Sequence, residues 1–148
     1  MNASNRIKIF FVPLIFVFTL LCIAAGLDVS KKKIKNRFFG VWELIAIENN
    51  GKEVPALPGQ LKLFGPDNSY RFLVSGATGT FFTQEGTFKI LSDIIYSEDI
   101  EFSTNQNLRG VSSKVSYTFI DEDVMKVNGS VNNVPFQEKW RRVKIFVR

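Results

Sequence analysis

The chain has 148 residues, of which 45% are hydrophobic, and this length fits one domain with a substantial core. It contains no histidine and one cysteine, so it offers no Ser-His pair, no histidine-ligated zinc or haem and no intrachain disulfide. The net charge is +5, yet residues 38–148 hold 12 Lys and Arg against 13 Asp and Glu, which argues against a nucleic-acid partner. We therefore expect neither a metal site nor a cofactor.

Residues 1–26 have the layout of a secretory signal peptide. A short basic start precedes a long apolar run, and small residues follow near Ala24 and Gly26. We expect cleavage at that point. The mature protein would then be exported, and it would be periplasmic, secreted or associated with the cell envelope.

Two alternatives to cleavage stay open. The apolar run from Ile9 to Ala25 is almost long enough to span a bilayer and could remain as an uncleaved anchor. Alternatively, Cys22 could be lipidated, although Leu21 is larger than the small residue expected before a lipidated cysteine. In either case the protein would meet a membrane only through this N-terminal segment.

Residues 27–37 form a basic linker with five Lys and Arg against one Asp. We interpret the linker as a solvated spacer, and a nucleic-acid arm or a patch for an anionic membrane is the alternative. The same charges count against export, because positive residues that follow an apolar run favour the cytoplasmic side.

Residues 38–148 consist of short alternating apolar runs separated by turn residues. In chain order the runs are VWELIAIE, QLKLF, SYRFLV, GTFFTQE, GTFKILS, IIYSEDIEF, KVSYTFI, VMKVNGSV and VPFQEKWRRVKIFV. They predict eight to ten strands, and no segment shows the period of a long amphipathic helix. Because most links are hairpin-short and open sheet edges promote aggregation, we predict an all-β domain folded as an up-and-down antiparallel barrel.

The tripeptide GVW at residues 40–42 resembles the Gly-x-Trp motif of lipocalins and their relatives. In that family the motif begins the first barrel strand, and the indole packs across the closed end beneath an Arg or Lys from the last strand. The run EKWRR at residues 138–142 supplies such a cation near the end of this chain. The resemblance implies that four residues close the barrel: Gly40, Trp42, Trp140 and Arg142.

A wider resemblance covers residues 38–143. The segments GTFKILSD, YSE and FQEKWRRV occur in this order. The set is similar to a family of small exported bacterial proteins that carry a lipocalin-like (calycin) domain of unknown function. This resemblance implies a lipocalin-like barrel and export, and it names no reaction.

Strand alternation suggests a ligand site inside the barrel. If Trp42 points inward, a period of two residues places further aromatic and polar side chains on interior faces. The candidates for ligand binding are Tyr70, Phe72, Phe88, Tyr117, Phe119 and Glu138. An apolar cavity with a few polar groups would bind a small apolar or amphipathic molecule. Alternatively, the rings fill the barrel, which would then act as a protein-interaction module in the cell envelope.

The remaining charged residues give little indication of catalysis, and we expect no enzyme. Residues 97–99 and 121–123 form acidic clusters that we place at turns, where carboxylates are normally solvated. Glu138 and Arg142 could form a buried ion pair. Arg109 lies in the polar loop NQNLRG, where we expect it to be solvated, although it could line the barrel mouth and meet an anionic ligand.

Overall fold

The structure is a computed structural model that describes residues 33–35 and 37–144. The expected signal peptide, its Cys22 and most of the basic linker lie outside the described residues. Within those two ranges no helix is both long and apolar enough to cross a membrane.

Nine β-strands and one 3₁₀ helix follow one another in the described part of the chain. The strands are β1 (Gly40–Asn49), β2 (Lys52–Pro55), β3 (Gln60–Phe64), β4 (Ser69–Gly76), β5 (Gly79–Ile90), β6 (Ile95–Ser103), β7 (Ser112–Phe119), β8 (Val124–Val131) and β9 (Val134–Arg142). The 3₁₀ helix, Gln106–Leu108, lies between β6 and β7.

The sheet closes on itself. Its strand order is β2-β1-β3-β4-β5-β6-β7-β8-β9, and an additional pairing joins β1 to β9. All of these pairings are antiparallel. Eight strands therefore form a closed barrel, with β2 as an extra strand. The prediction of an all-β, up-and-down antiparallel barrel is confirmed.

Strand β1 is shared by three neighbours. Its residues 40–43 pair with β3 and its residues 46–49 pair with β2. On the other side it pairs with β9, in a register that sets Trp42 opposite Arg142. Strands β2 and β3 must therefore occupy the same edge of β1, one after the other, because β9 occupies the opposite edge.

The alternating strand directions define two ends of the barrel. We call the end that contains links 65–68, 91–94 and 120–123 the floor. We call the end that contains links 50–51, 77–78, 104–111 and 132–133 the mouth. Trp42 lies near the floor, because it is the third residue of β1, which runs from floor to mouth.

Aromatic rings fill the floor half of the barrel. Phe38 is fully buried at the centre of this cluster, although it precedes the first strand. Its ring lies 4.9–6.0 Å, centroid to centroid, from five others: Phe64, Phe88, Tyr96, Tyr117 and Phe119. Most of these pairs are edge-to-face, the geometry that the ring quadrupole favours. These rings belong to the hydrophobic core of the barrel or pack against it.

The end of the basic linker is part of the floor. Residues 33–35 and 37–38 are helical. The Arg37 guanidinium lies 4.0 Å from the centroid of the Phe119 ring and donates a hydrogen bond to the Asp121 carbonyl. Lys35 donates to the Pro66 carbonyl. These residues belong to the span expected to be a solvated spacer, and they contact the barrel instead.

Candidate functional site

The Gly-x-Trp motif forms the floor with the last strand. Trp42 is fully buried, and its Nε1 donates a 2.7 Å hydrogen bond to the Phe38 carbonyl. The Arg142 guanidinium carbon lies 4.3 Å from the centroid of the Trp42 ring. Arg142 also donates hydrogen bonds of 2.6 Å to the carbonyls of Phe39 and Arg37. The guanidinium therefore joins β9 to both the indole and the chain entering β1.

The glycine of the motif leaves room for this guanidinium. Gly40 has a φ of 119°, a conformation that side chains with a Cβ rarely adopt. A Cβ at this position would lie 3.2 Å from Nη1 of Arg142. Both the backbone angle and the proximity of Arg142 therefore favour glycine ahead of the tryptophan.

A cavity of about 220 Å³ occupies the half of the barrel nearer the mouth. Its walls include the aromatic residues Phe72, Phe136 and Trp140. Val131 and Val134, at the β8–β9 turn, line it at the mouth. The barrel is thus packed with rings at the floor and contains a cavity towards the mouth. The sequence had left a filled barrel and a hollow one as alternatives, and the structure has one feature in each half.

A buried ion pair lies in the cavity wall. Lys62 in β3 and Glu98 in β6 are both less than 9% exposed, and Lys62 Nζ lies 2.8 Å from Glu98 Oε1. The Tyr96 hydroxyl donates a 3.0 Å hydrogen bond to the same oxygen. The ammonium group is also 5.3 Å from the centroid of the Trp140 ring. Glu98 is thus held by two donors inside the barrel.

The interpretation of residues 97–99 as a solvated turn is wrong. They lie within β6, where Tyr96, Glu98 and Ile100 alternate inward and all are buried. The period of two residues carries Glu98 to the interior between two apolar neighbours. Residues 121–123 do lie in the link between β7 and β8.

Glu138 places a second carboxylate at the cavity. It is partly buried on β9, and its Oε2 accepts a 2.9 Å hydrogen bond from Nε1 of Trp140. Burial raises the pKa of Glu138 above its ordinary value of 4.5, and the proximity of Glu98 adds to this increase. The positive charge of Lys62 and the hydrogen bond from Trp140 oppose the increase without cancelling it.

The expected pair between Glu138 and Arg142 is not formed. Arg142 lies four residues nearer the floor than Glu138, and its Nε is 3.6 Å from Asp123. Glu138 instead bonds to Trp140, which lies between them on β9. The two charged groups therefore take part in different structures, Arg142 in the floor and Glu138 in the cavity wall.

The six candidate ligand residues lie in different parts of the barrel interior. Phe72 and Glu138 line the cavity. Tyr70 is buried beside Lys62, and its hydroxyl has no hydrogen-bond partner among the described residues. The other three, Phe88, Tyr117 and Phe119, pack in the floor cluster. A ligand role for these six residues stays a prediction.

Arg109 stabilises the loop at the mouth. Its Nε donates a 2.9 Å hydrogen bond to the Ser103 carbonyl, and its guanidinium carbon lies 4.9 Å from the centroid of the Phe102 ring. Arg109 is exposed, and these contacts hold its side chain against the β6–β7 link, while a role in meeting an anionic ligand stays a prediction.

Sequence reasoning missed Lys62, Glu98 and Phe38. Lys62 lies between two leucines in QLKLF, so hydropathy alone turns the leucines inward and the lysine outward. Pairing with Trp42 fixes the opposite orientation, since directly opposed residues of neighbouring strands share a face. The signal that could have found Glu98 is its spacing of two residues from both Tyr96 and Ile100.

A second depression, of about 280 Å³, is a weaker candidate. It involves β1, β2, β7, β8 and β9, and its lining includes Glu53, Lys126 and Lys139. Glu53 lies 2.9 Å from Lys139 and 3.6 Å from Lys126, so these exposed charges already satisfy one another. Across residues 33–35 and 37–144, no group of three or more Asp, Glu, His or Cys side chains is arranged to hold a metal ion.

Comparisons with known proteins agree with this barrel. A lipocalin-like protein from Bacteroides uniformis ATCC 8492 has a TM-score of 0.53 at 10% identity, over 72% of this chain and 99% of that chain. An uncharacterized protein from Bacteroides eggerthii DSM 20697 has a TM-score of 0.52 at 14% identity, over the same shares of 72% and 99%. At these identities the likeness shows the fold alone, and the lipocalin-like barrel is confirmed.

The sequence comparisons identify a family. No curated protein sequence matches the chain. The profile of a family described as a domain of unknown function, DUF4488, matches residues 37–147. This span includes the whole barrel, so the resemblance to a lipocalin-like family of unknown function is confirmed, and the chain belongs to the DUF4488 family.

Proposed function

We propose that the protein is an exported binding protein that holds a compact amphipathic molecule in the mouth half of its barrel. The observation that carries the proposal is the cavity, in which apolar walls adjoin the charged groups of Lys62, Glu98 and Glu138. Such a combination is typical of ligand sites, where apolar surface supplies affinity and a few polar groups fix orientation. In this proposal the barrel binds its ligand and does not transform it.

The size of the cavity limits the ligand. At about 220 Å³ it is smaller than the 300–1,000 Å³ of most ligand pockets. The apolar part of the ligand would contact Phe72, Val131 and Phe136. We therefore expect a short chain or a single ring, and not a molecule of the size of a haem.

Native mass spectrometry of the protein purified from its source tests this function. We expect a small co-purified molecule that dissociates on unfolding. Val131→Phe should reduce its occupancy several-fold, because Val131 lines the cavity and the larger ring would enter it. Ile120→Phe is the matched control, since Ile120 is 52% exposed in a floor link. Equal occupancy in both variants, or no bound molecule at all, would contradict the proposal.

Interaction through the mouth is the second candidate function. Phe81, Phe82 and Val134 are large apolar residues near the mouth, and each is more than half exposed. Large apolar residues exposed at one end of a protein can form a binding surface. Under this alternative, Phe81→Ser with Phe82→Ser would abolish association with a cell-envelope protein. Val131→Phe, which blocks only the cavity, would leave that association intact.

Export is part of the proposal and has its own test. The mature N-terminus should begin near Leu27 if residues 1–26 are a cleaved signal peptide. A lipid-blocked Cys22 would indicate a lipoprotein, and an intact Met1 would indicate an anchor. N-terminal sequencing of the protein isolated from cell fractions distinguishes these three outcomes.

A further inference from the structure

The charged groups of the cavity are unequal in number. One cation, Lys62, faces two carboxylates, Glu98 and Glu138. Lys62 and Glu98 neutralise each other at 2.8 Å. Glu138 is therefore a surplus acid in a partly buried site, where an uncompensated charge is unfavourable.

Glu138 also has unused hydrogen-bonding capacity. Its Oε2 accepts from Nε1 of Trp140. Among the residues that the structure describes, no donor is hydrogen-bonded to its Oε1. An ionised carboxylate can accept several hydrogen bonds, and those from charged donors are the strongest. The group that best completes this site is a donor that carries a positive charge.

The groups facing Glu138 from other strands do not supply that donor. From β3, Lys62 is engaged by Glu98, and its Nζ lies 5.3–6.0 Å from the centroids of four aromatic rings, those of Phe64, Tyr70, Phe72 and Trp140. From β6, the Tyr96 hydroxyl donates to Glu98. Within β9 itself, the indole of Trp140 has a single N–H, which it already donates to Oε2 of Glu138.

The walls beside Glu138 also suit a cation on an apolar body. Phe136 and Trp140 flank Glu138 at spacings of two residues on β9, and both line the cavity. The face of an aromatic ring attracts a cation, and this attraction grows when water is excluded. An anionic head group would instead meet two carboxylates and only one ammonium group, already paired.

We propose that the ligand is a primary amine on a compact apolar body, with its ammonium group bonded to Glu138 and its apolar part against Phe136 and Val131. This inference rests on the proposed binding function, whose ligand it specifies. It predicts a preference for positive charge that the shape of the cavity alone would not produce.

Three ligands of equal chain length test the preference: octylamine, octanol and octanoate. Isothermal titration calorimetry at neutral pH should show octylamine binding about tenfold or more tightly than octanoate, with octanol between them. Octanoate binding as tightly as octylamine would overturn this inference and leave the binding function standing. A failure of all three ligands to bind would overturn both.

The variant Glu138→Gln identifies the residue responsible. Glutamine keeps an oxygen for Trp140 but removes the charge, so the preference for octylamine over octanoate should fall to about threefold or less. Glu101→Gln is the control, because Glu101 is an exposed acid of β6, and it should leave the preference unchanged. An undiminished preference in Glu138→Gln would overturn the assignment.

Proton release gives a second readout that a structural role for Glu138 would not produce. An ammonium group favours the ionised carboxylate, so octylamine should displace protons from the wild-type protein at mildly acidic pH. Calorimetry in two buffers of different ionisation enthalpy measures this release. We expect none in Glu138→Gln, and equal release in both proteins would contradict the proposal.

Discussion

Arg142 lies over Trp42, with the guanidinium carbon 4.3 Å from the ring centroid, although the two residues are a hundred positions apart in the chain. They are also opposite one another in the β1–β9 pairing. Because that pairing closes the barrel, the cation–π contact lies across the strand pair at which the sheet closes. The same guanidinium donates hydrogen bonds to the carbonyls of Arg37 and Phe39, so one side chain joins β9 to both β1 and the chain that enters it.

Replacing Arg142 with alanine should lower the free energy of unfolding by about 2–4 kcal/mol. The variant loses three hydrogen bonds from a charged donor, one cation–π contact and the 3.6 Å ion pair with Asp123. Urea denaturation followed by tryptophan fluorescence measures the change. Arg71→Ala is the control, because Arg71 is 53% exposed in a loose 3.6 Å pair with Glu85 and should change stability by less than about 0.5 kcal/mol. Equal losses in both variants would contradict the role of Arg142.

Trp42→Ala should lower the free energy of unfolding by about 3–5 kcal/mol, because it removes a fully buried indole and leaves a cavity in the core. Phe82→Ala serves as the comparison, since Phe82 is 53% exposed near the mouth. Thermal and urea unfolding of both variants measure the difference. A cost below about 1 kcal/mol for Trp42→Ala would show that the indole is not a core residue.

Gly40→Ala should destabilise the barrel by about 1–3 kcal/mol. Alanine would have to keep the φ of 119°, which residues with a Cβ disfavour. Its Cβ would also lie 3.2 Å from Nη1 of Arg142. Gly76→Ala is matched to it, since Gly76 has an ordinary φ and open space around it. Differential scanning calorimetry should find the control within about 0.5 kcal/mol of wild type. Similar losses of stability in the two variants would show that neither the φ of Gly40 nor its proximity to Arg142 requires glycine.

The sequence predicted the floor of the barrel better than its cavity. Gly40, Trp42 and Arg142 could be assigned to the closed end from the Gly-x-Trp resemblance, and the strand period from Trp42 also places Leu44 and Ala46 in the interior, where both are buried. The cavity depends instead on how strands align with their neighbours, which a single strand does not reveal. Lys62 faces inward only because β3 pairs with β1 in the register that opposes Lys62 to Trp42.

Irregularities in the strands set a further limit. Pairing of β4 with β5 shifts between Phe72 and Leu73, and that of β5 with β6 shifts between Glu85 and Gly86. Each shift changes which side chains share a face, so a strict period of two residues fails across it. Phe38 was missed for another reason, since it precedes the first strand and enters the core from a helical turn.

Lys62→Met should be strongly destabilising, by about 3–5 kcal/mol, because it leaves Glu98 buried without its cation. The double variant Lys62→Met with Glu98→Gln should recover at least about half of this loss, since glutamine is uncharged and can still accept from Tyr96. Urea denaturation of both variants provides the comparison. A double variant as unstable as the single one would show that Lys62 acts through packing and not through its charge.

The stability of the wild-type protein relative to Glu138→Gln should fall as the pH rises above 4.5. Burial raises the pKa of Glu138 in the folded protein above this ordinary value, so the folded state holds a proton there that the unfolded state has lost. The stability that wild type gains from this protonated carboxyl group is fully present below pH 4.5. It disappears once the pH passes the raised pKa of the folded state. Urea denaturation of both proteins between mildly acidic and neutral pH measures the difference. A difference that stays flat or grows with pH would mean that Glu138 is stabilised as an anion, and the cavity would then hold no surplus acid in need of a cation.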